Sequence, residues 1–296
     1  MSTPFADRLV ESVRAKNTPL CVGLDPFPER IPTLFGAENS LAALQAFSES
    51  IVAIAADHAG ALKPQLGLFE PFGAEGVRIA QELTAQARAA GLVVILDAKR
   101  GDIGTTARGY ARATLGPAPG FDADSVTINP YMGKDSIEPF LALAERAGKG
   151  VAVLVRTSNP GARDLQDLDV GGAPLWRRTA EMIAPESVRL IGVSGWSGLM
   201  AVAGATYPDE ARALRAVLPE ALFLVPGYGA QGASAADAVA GFIAKARGRE
   251  GGVVNSSRAV LYPQAAQAAA TLTAWRAAIH DAMQAAAAEL RAACAN

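Results

Sequence analysis

The stretch VVILDAKRGDIGTTARGYA, residues 93–111, decides how this chain reads. Its opening run, Val93 to Leu96, has the branching of a buried strand and then gives way to Asp97, Lys99, Arg100 and Asp102. A glycine-flanked turn follows. Side chains alternate along a strand, so Asp97 and Lys99 project the same way at the same end. Two carboxylates and an ammonium this close together carry a desolvation cost with no structural return. A solvated salt-bridge cluster is the bland alternative. Charged groups gathered at the carboxyl end of a strand fit a catalytic site better.

Around this segment, short apolar or β-branched runs alternate with longer Ala-rich helical stretches. The runs fall at 20–25, 61–65, 93–99, 125–131, 150–158, 222–227 and 251–257, and helical patterns at 40–57, 73–90, 136–147 and 207–218. Strand–helix alternation implies a parallel sheet. The eighth strand has two candidates, 188–195 and 199–206, too close together to hold a crossover helix between them. Pro208, Asp209 and Glu210 mark a helix start after the second. The reading therefore takes 199–205 as strand six and leaves 188–198 in a long, partly extended connection. Eight such units in about 260 residues predict an α/β fold, a single (β/α)8 TIM barrel. One domain spans 1–296, with an N-terminal helix carrying Phe5, Leu9 and Val13 on one face and an Ala-rich C-terminal helix over 264–295.

Composition narrows the function classes. The chain has 296 residues, 50% hydrophobic and 19% charged, with a net charge of −2, enough for a large core. No run of eighteen or more residues is continuously apolar, and the N-terminus lacks the apolar centre of a signal peptide. A slightly acidic chain without a basic stripe argues against nucleic acid as a partner, and nothing suggests a membrane. Cys21 and Cys294 read as free thiols of a cytoplasmic protein. With only His58 and His280, a three-histidine metal site is excluded, and both read as bystanders. No CxxC, HExxH or GxxxxGK[ST] motif occurs, which leaves chemistry to carboxylates, lysines and arginines.

The polar residues at the strand ends fall into order: Asp25, Lys63, Asp97 with Lys99, Asn129, and Thr157 with Ser158. A barrel of this type gathers catalytic groups on that face. Strand seven runs into PGYGAQG, 226–232, which formally matches a dinucleotide fingerprint but stands at the wrong end of the chain for one. After strand seven, such glycines suit a phosphate site, with Gln231 as a donor and Arg258 brought to the same corner by NSSRAVLY.

LDAKRGDIGTTARGYA, with CVGLDP upstream, LKPQLGLFE between, and VPGYGAQG and VNSSRAVLY downstream, resembles the orotidine 5′-phosphate decarboxylase family, in its longer bacterial branch. The resemblance runs from about residue 18 to 263. It implies a cofactor-independent, metal-free decarboxylation that yields UMP for pyrimidine biosynthesis. The family's array of alternating charges maps onto Lys63, Asp97, Lys99 and Asp102, with Lys99 as the acid. Its ribose contact falls on Asp25, its pyrimidine contact on Ser158, and its phosphate contacts on Gln231 and Arg258. In that family the second aspartate of DxKxxD comes from a partner subunit. Asp102, Ile103 and Thr106 are therefore expected to complete the other site of a homodimer. One departure is Ser257, where many relatives have glycine before the phosphate arginine.

Three other readings compete. Mg²⁺-dependent sugar-phosphate lyases such as hexulose-phosphate synthases share DxKxxD but need a carboxylate near the second strand end. This chain has Lys63, Pro64 and Gln65 there, with Glu70 further on. A Schiff-base aldolase needs an amine of lowered pKa, the opposite of what flanking aspartates produce. A non-catalytic nucleotide-phosphate sensor would be expected to have lost part of the charged array.

Overall fold

Eight runs form the parallel strands β1 (Leu20–Leu24), β2 (Ala61–Pro64), β3 (Val93–Arg100), β4 (Ser125–Ile128), β5 (Gly150–Arg156), β6 (Ser197–Ala203), β7 (Ala221–Val225) and β8 (Gly252–Ser256). They belong to a computed structural model that describes residues 3–229 and 231–295. Each strand pairs with the next, and β8 returns to β1 to close the barrel. This is the (β/α)8 architecture expected from the strand–helix alternation. Strand six begins two residues earlier than expected, and strands four and five end sooner, leaving Asn129, Thr157 and Ser158 on the loops beyond.

Parity along the strands divides the core in two. Outward residues such as Leu20, Val94, Val126, Val153 and Phe223 join Phe47, Ile51, Leu83, Phe140 and Trp275 of the surrounding helices. Inward residues, including Cys21, Ala61, Ile95, Met200 and Leu224, fill the barrel. Strands buried on both faces read as continuous apolar runs, which is why the sequence shows no alternation there. Cys21 lies wholly inside, where burial pushes its thiol up to about 12, and both cysteines are free.

The ends of the chain close the barrel from outside. Helix Phe5–Lys16 sends Phe5, Leu9 and Val10 into the inner cluster from below, with Val13 packed at its margin. Gly150, at the foot of β5, makes room: a Cβ there would lie 2.3 Å from the Phe5 ring. Asp7 of the same helix accepts backbone hydrogen bonds from Val193 at 2.9 Å and Ser194 at 2.8 Å. The 188–198 connection runs from a 3-10 turn ending at Leu190 into a tight loop tied to this helix, and it is extended in part, where Ile191 bridges Ser197 and β6 begins. Helix Leu175–Ile183 makes the crossover before it. Helix Leu272–Ala295 buries Trp275, Ile279, Met283 and Leu290, each contributing roughly 1.5–3 kcal/mol. His58 and His280 meet there edge to face, 4.4 Å between ring centres, and neither lines the cleft described next.

Candidate active site

At the carboxyl ends of the strands opens a cleft of about 460 Å³. Its floor is the uppermost inward layer of the barrel. β2, β3 and β4 contribute Lys63, Asp97 and Thr127; β5, β6 and β7 contribute Leu154, Val202 and Leu224; β8 contributes Asn255. One side of the floor is charged and the opposite side apolar, as a planar heterocycle with one polar edge requires.

Asp97 is the hub of the charged side. Its Oδ2 lies 2.7 Å from Lys63 Nζ and accepts from Gln65 Nε2 at 3.0 Å. Its Oδ1 lies 2.6 Å from Lys99 Nζ and accepts from Thr127 Oγ1 at 2.9 Å. Lys63 Nζ is also 3.9 Å from Asp25 Oδ1. Asp25, Lys63, Asp97 and Lys99 therefore form a line of alternating sign across the floor. Burial alone would raise the Asp97 carboxyl, yet the charges and hydrogen bonds of Lys63 and Lys99 hold it well below the usual carboxylate range. Burial likewise opposes the charge on Lys63, and Asp97 and Asp25 override it, so the ammonium stays protonated far into alkali. Lys63 and Asp97 are only 5% and 6% exposed, whereas the Lys99 side chain is 49% exposed. Lys99 is the member of the line that faces the open cleft.

The backbone bends to put it there. Pairing between β3 and β4 shifts register between Leu96 and Arg100, and Lys99 adopts φ +47°. A non-glycine residue in the left-handed region is held by its surroundings, commonly at a functional site. Thr127 does the holding: its Oγ1 accepts from the backbone N–H of Ala98 at 3.0 Å and of Lys99 at 2.9 Å. One hydroxyl thus fixes both the turn and the carboxylate beneath it.

The opposite corner has the chemistry of an anion site. Gly227, Gly229 and Gly232 take φ of +102°, +72° and +90°, a loop that only glycines form readily. Gln231 follows in that loop, and Arg258 opens the short helix after β8; both line the cleft with Ser158. The structure thus brings Asp25, Lys63, Asp97, Lys99, Ser158, Gln231 and Arg258 together, as the strand-end reading required.

Asp102, Ile103 and Thr106 stand apart from these. They do not line the cleft of their own barrel, and the Asp102 carboxylate accepts from the Ile103 N–H at 2.8 Å. Asn129, singled out among the strand ends, is also outside the cleft and accepts from the Tyr131 N–H at 3.0 Å. Thr127 is the β4 residue that faces in. Sequence reasoning missed Gln65, Thr127 and Asn255. Each shares inward parity with a residue already chosen or with the inner core, and that was the available signal. Among the described residues no group of three or more His, Cys, Asp or Glu side chains is placed to hold a metal ion. Glu70 pairs with Arg100 instead of entering the cleft.

Comparison with known proteins agrees with this geometry. The chain is 43% identical over 259 residues to an orotidine 5′-phosphate decarboxylase of Aromatoleum aromaticum, covering 87% of this chain and 90% of that one. It is 38% identical over 269 residues to the enzyme of that name from Rhodopirellula baltica, with coverages of 87% and 88%. The structure of Leishmania donovani OMP decarboxylase superposes with a TM-score of 0.76 at 34% identity over 98% of both chains. Residues 18–272 match the model of one family, so the chain belongs to the orotidine 5′-phosphate decarboxylase / HUMPS family.

Proposed function

We propose that this chain is a carboxy-lyase that converts orotidine 5′-phosphate to UMP and CO₂ without a cofactor, a step of pyrimidine biosynthesis. The observation that carries this reading is the line Asp25, Lys63, Asp97, Lys99, whose outermost member is a half-exposed ammonium 2.6 Å from a buried carboxylate. Breaking the C6–carboxylate bond leaves the electron pair on C6. Lys99 stabilises that carbanion and transfers a proton to it, and the neutral amine regains a proton from solvent. Asp97 stands beside the leaving carboxylate and cannot accept a proton to escape repulsion, because Lys63 keeps it ionised. Asp25 binds the ribose hydroxyls, Ser158 the pyrimidine, and Gln231 with Arg258 the phosphate.

The site is completed in a homodimer, where Asp102, Ile103 and Thr106 enter the cleft of the other subunit. Ile103 is 55% exposed, and nearby Tyr131 and Met132 are 78% and 42% exposed, an apolar rim suited to a partner's surface. Among the described residues no helix is long and apolar enough to cross a membrane, and the two free thiols suit a cytoplasmic location.

The test is to mix purified protein with orotidine 5′-phosphate in EDTA and follow the loss of its ultraviolet absorbance, with formation of UMP. Turnover that survives the chelator supports the reading. Turnover abolished by EDTA and restored by Mg²⁺ makes the decarboxylation metal-dependent and rejects the cofactor-free reading, and no turnover at all rejects the decarboxylase.

A further inference from the structure

The barrel has a second cavity, of about 320 Å³, at the amino ends of its strands and so on the face opposite the catalytic cleft. Pro19 before β1, Leu222 of β7 and Gly252 of β8 reach it from the barrel. Three outer elements wall it: helix Phe5–Lys16, helix Leu272–Ala295, and an antiparallel hairpin of Ile243–Lys245 with Gly248–Glu250. Gly248 lets the hairpin close on the C-terminal helix. It takes φ +111°, and a Cβ there would lie 2.7 Å from the Cys294 carbonyl oxygen. Among the described residues none lines both this cavity and the catalytic cleft.

The floor of the cavity is apolar. Leu9, Val10 and Leu222 belong to the inner core, and Val13 and Phe242 extend that surface. Thr18 spends its hydroxyl on the Ala287 carbonyl, at 3.1 Å. The rim is cationic: Arg14, Arg247, Arg249 and Arg291 line it against one carboxylate, Glu250. Arg14 already takes that carboxylate, at 2.8 and 2.7 Å. Arg291 donates to the Asn17 carbonyl at 2.9 Å and Arg249 to the Phe242 carbonyl at 3.3 Å, which leaves most N–H groups of each guanidinium unused. Among the described residues none of Arg247, Arg249 and Arg291 has a carboxylate partner. Three positive charges thus gather at one cavity of a chain whose net charge is −2, and an anion there relieves their repulsion.

Floor and rim together narrow the occupant. A nucleobase would bring hydrogen-bonding edges to an apolar floor, whereas a hydrocarbon body matches it. A guanidinium fork holds a carboxylate or a phosphate bidentately. At about 30 Å³ for each water-sized group, the cavity admits on the order of ten heavy atoms. We propose that this cavity is a second ligand site, which takes a short amphiphilic anion with its hydrocarbon body on Leu9, Val10, Val13 and Leu222 and its head among Arg247, Arg249 and Arg291. The proposal is independent of the decarboxylase reading, because the two sites share no residue.

The experiment titrates the full chain by calorimetry with octanoate and with octyl phosphate, which differ only in the head. Octanol lacks the charge and acetate lacks the body, so both serve as controls. For a ligand of this size the Kd should be on the order of 0.1–1 mM with the better head, and about ten-fold weaker or more for both controls. Saturating UMP should leave that Kd within about two-fold, since distant sites act independently. Arg247→Ala combined with Arg291→Ala should weaken binding about ten-fold or more. Val13→Trp, which fills the cavity, should abolish it. Both arginines are exposed, so the arginine pair carries the test if the tryptophan variant fails to fold, as judged by urea unfolding. Cys21 is wholly buried, so thiol alkylation reports Cys294 at the cavity wall, and saturating octanoate should slow it. The proposal is overturned if neither octyl anion binds more tightly than octanol and acetate, if UMP displaces the anion, or if the arginine pair variant binds it like wild type. A protein that binds the anion but is inert towards orotidine 5′-phosphate overturns the decarboxylase reading alone.

Discussion

Replacing Lys99 by alanine tests the catalytic reading at its centre. Its ammonium lies 2.6 Å from Asp97 Oδ1 on a side chain 49% exposed, so the interaction is partly screened. With an effective dielectric constant near 20 and a charge about 3 Å away, Coulomb's law gives about 5.5 kcal/mol of attraction to a carbanion. At about 1.4 kcal/mol per factor of ten, that is a ten-thousand-fold effect on rate. Loss of the proton donor acts on the same step, so about ten-thousand-fold is a floor for the loss. The fold should hardly notice. Asp97 keeps Lys63 at 2.7 Å, and a half-exposed ion pair contributes within about 1 kcal/mol.

The assay follows decay of orotidine 5′-phosphate absorbance, alongside urea unfolding and UMP binding to show that the cleft persists. Lys99→Gly adds an internal control. Because residue 99 sits at φ +47°, glycine relieves strain that alanine retains, and the Gly variant should be about 1 kcal/mol more stable while equally inactive. A Lys99→Ala enzyme that keeps a tenth of the wild-type rate refutes the assignment and hands the proton to another group.

Two further outcomes follow from the same site. In the wild type, Asp97 titrates below its unfolded value and Lys63 above its own, so their contributions to stability persist across neutral pH; the first fades only in strong acid and the second only in strong alkali. Lys63→Met removes the buried partner of Asp97 and leaves it only the half-exposed Lys99, and should cost about 3 kcal/mol in urea unfolding at pH 7. The deficit should shrink towards pH 4 as protonation relieves the less fully compensated charge, and an equal deficit at both values would argue against a charge effect. Inactive Lys99→Ala and Asp102→Ala subunits, mixed under conditions where exchange is demonstrated, should regain activity, because each heterodimer holds one doubly damaged and one intact site. No recovery would assign Asp102 to its own subunit.

What the sequence revealed, and what it hid, divides along the range of the interactions. Strand order, the strand-end line of Asp25, Lys63, Asp97 and Lys99, and the glycine loop before Arg258 were legible because each depends on residues adjacent in the chain, through parity and turn chemistry. Helix Gly104–Leu115 was not foreseen, since Gly104 and Gly109 dilute its pattern and packing against the barrel decides it instead. Thr127 was hidden for a different reason. In sequence it is one more β-branched strand residue, and only the β3–β4 pairing puts its hydroxyl under the backbone of Lys99 and against Asp97. The tie from Asp7 to the 192–195 loop spans almost two hundred residues and leaves no local trace at either end. The same logic explains why Asp102 looked at first like a neighbour of Lys99. Three residues of separation bring two groups together only if the strand continues, and β3 stops at Arg100. Beyond that point the chain leaves the strand through Gly101 and turns at Gly104, φ +53°, and the Asp102 carboxylate does not line the cleft of its own barrel.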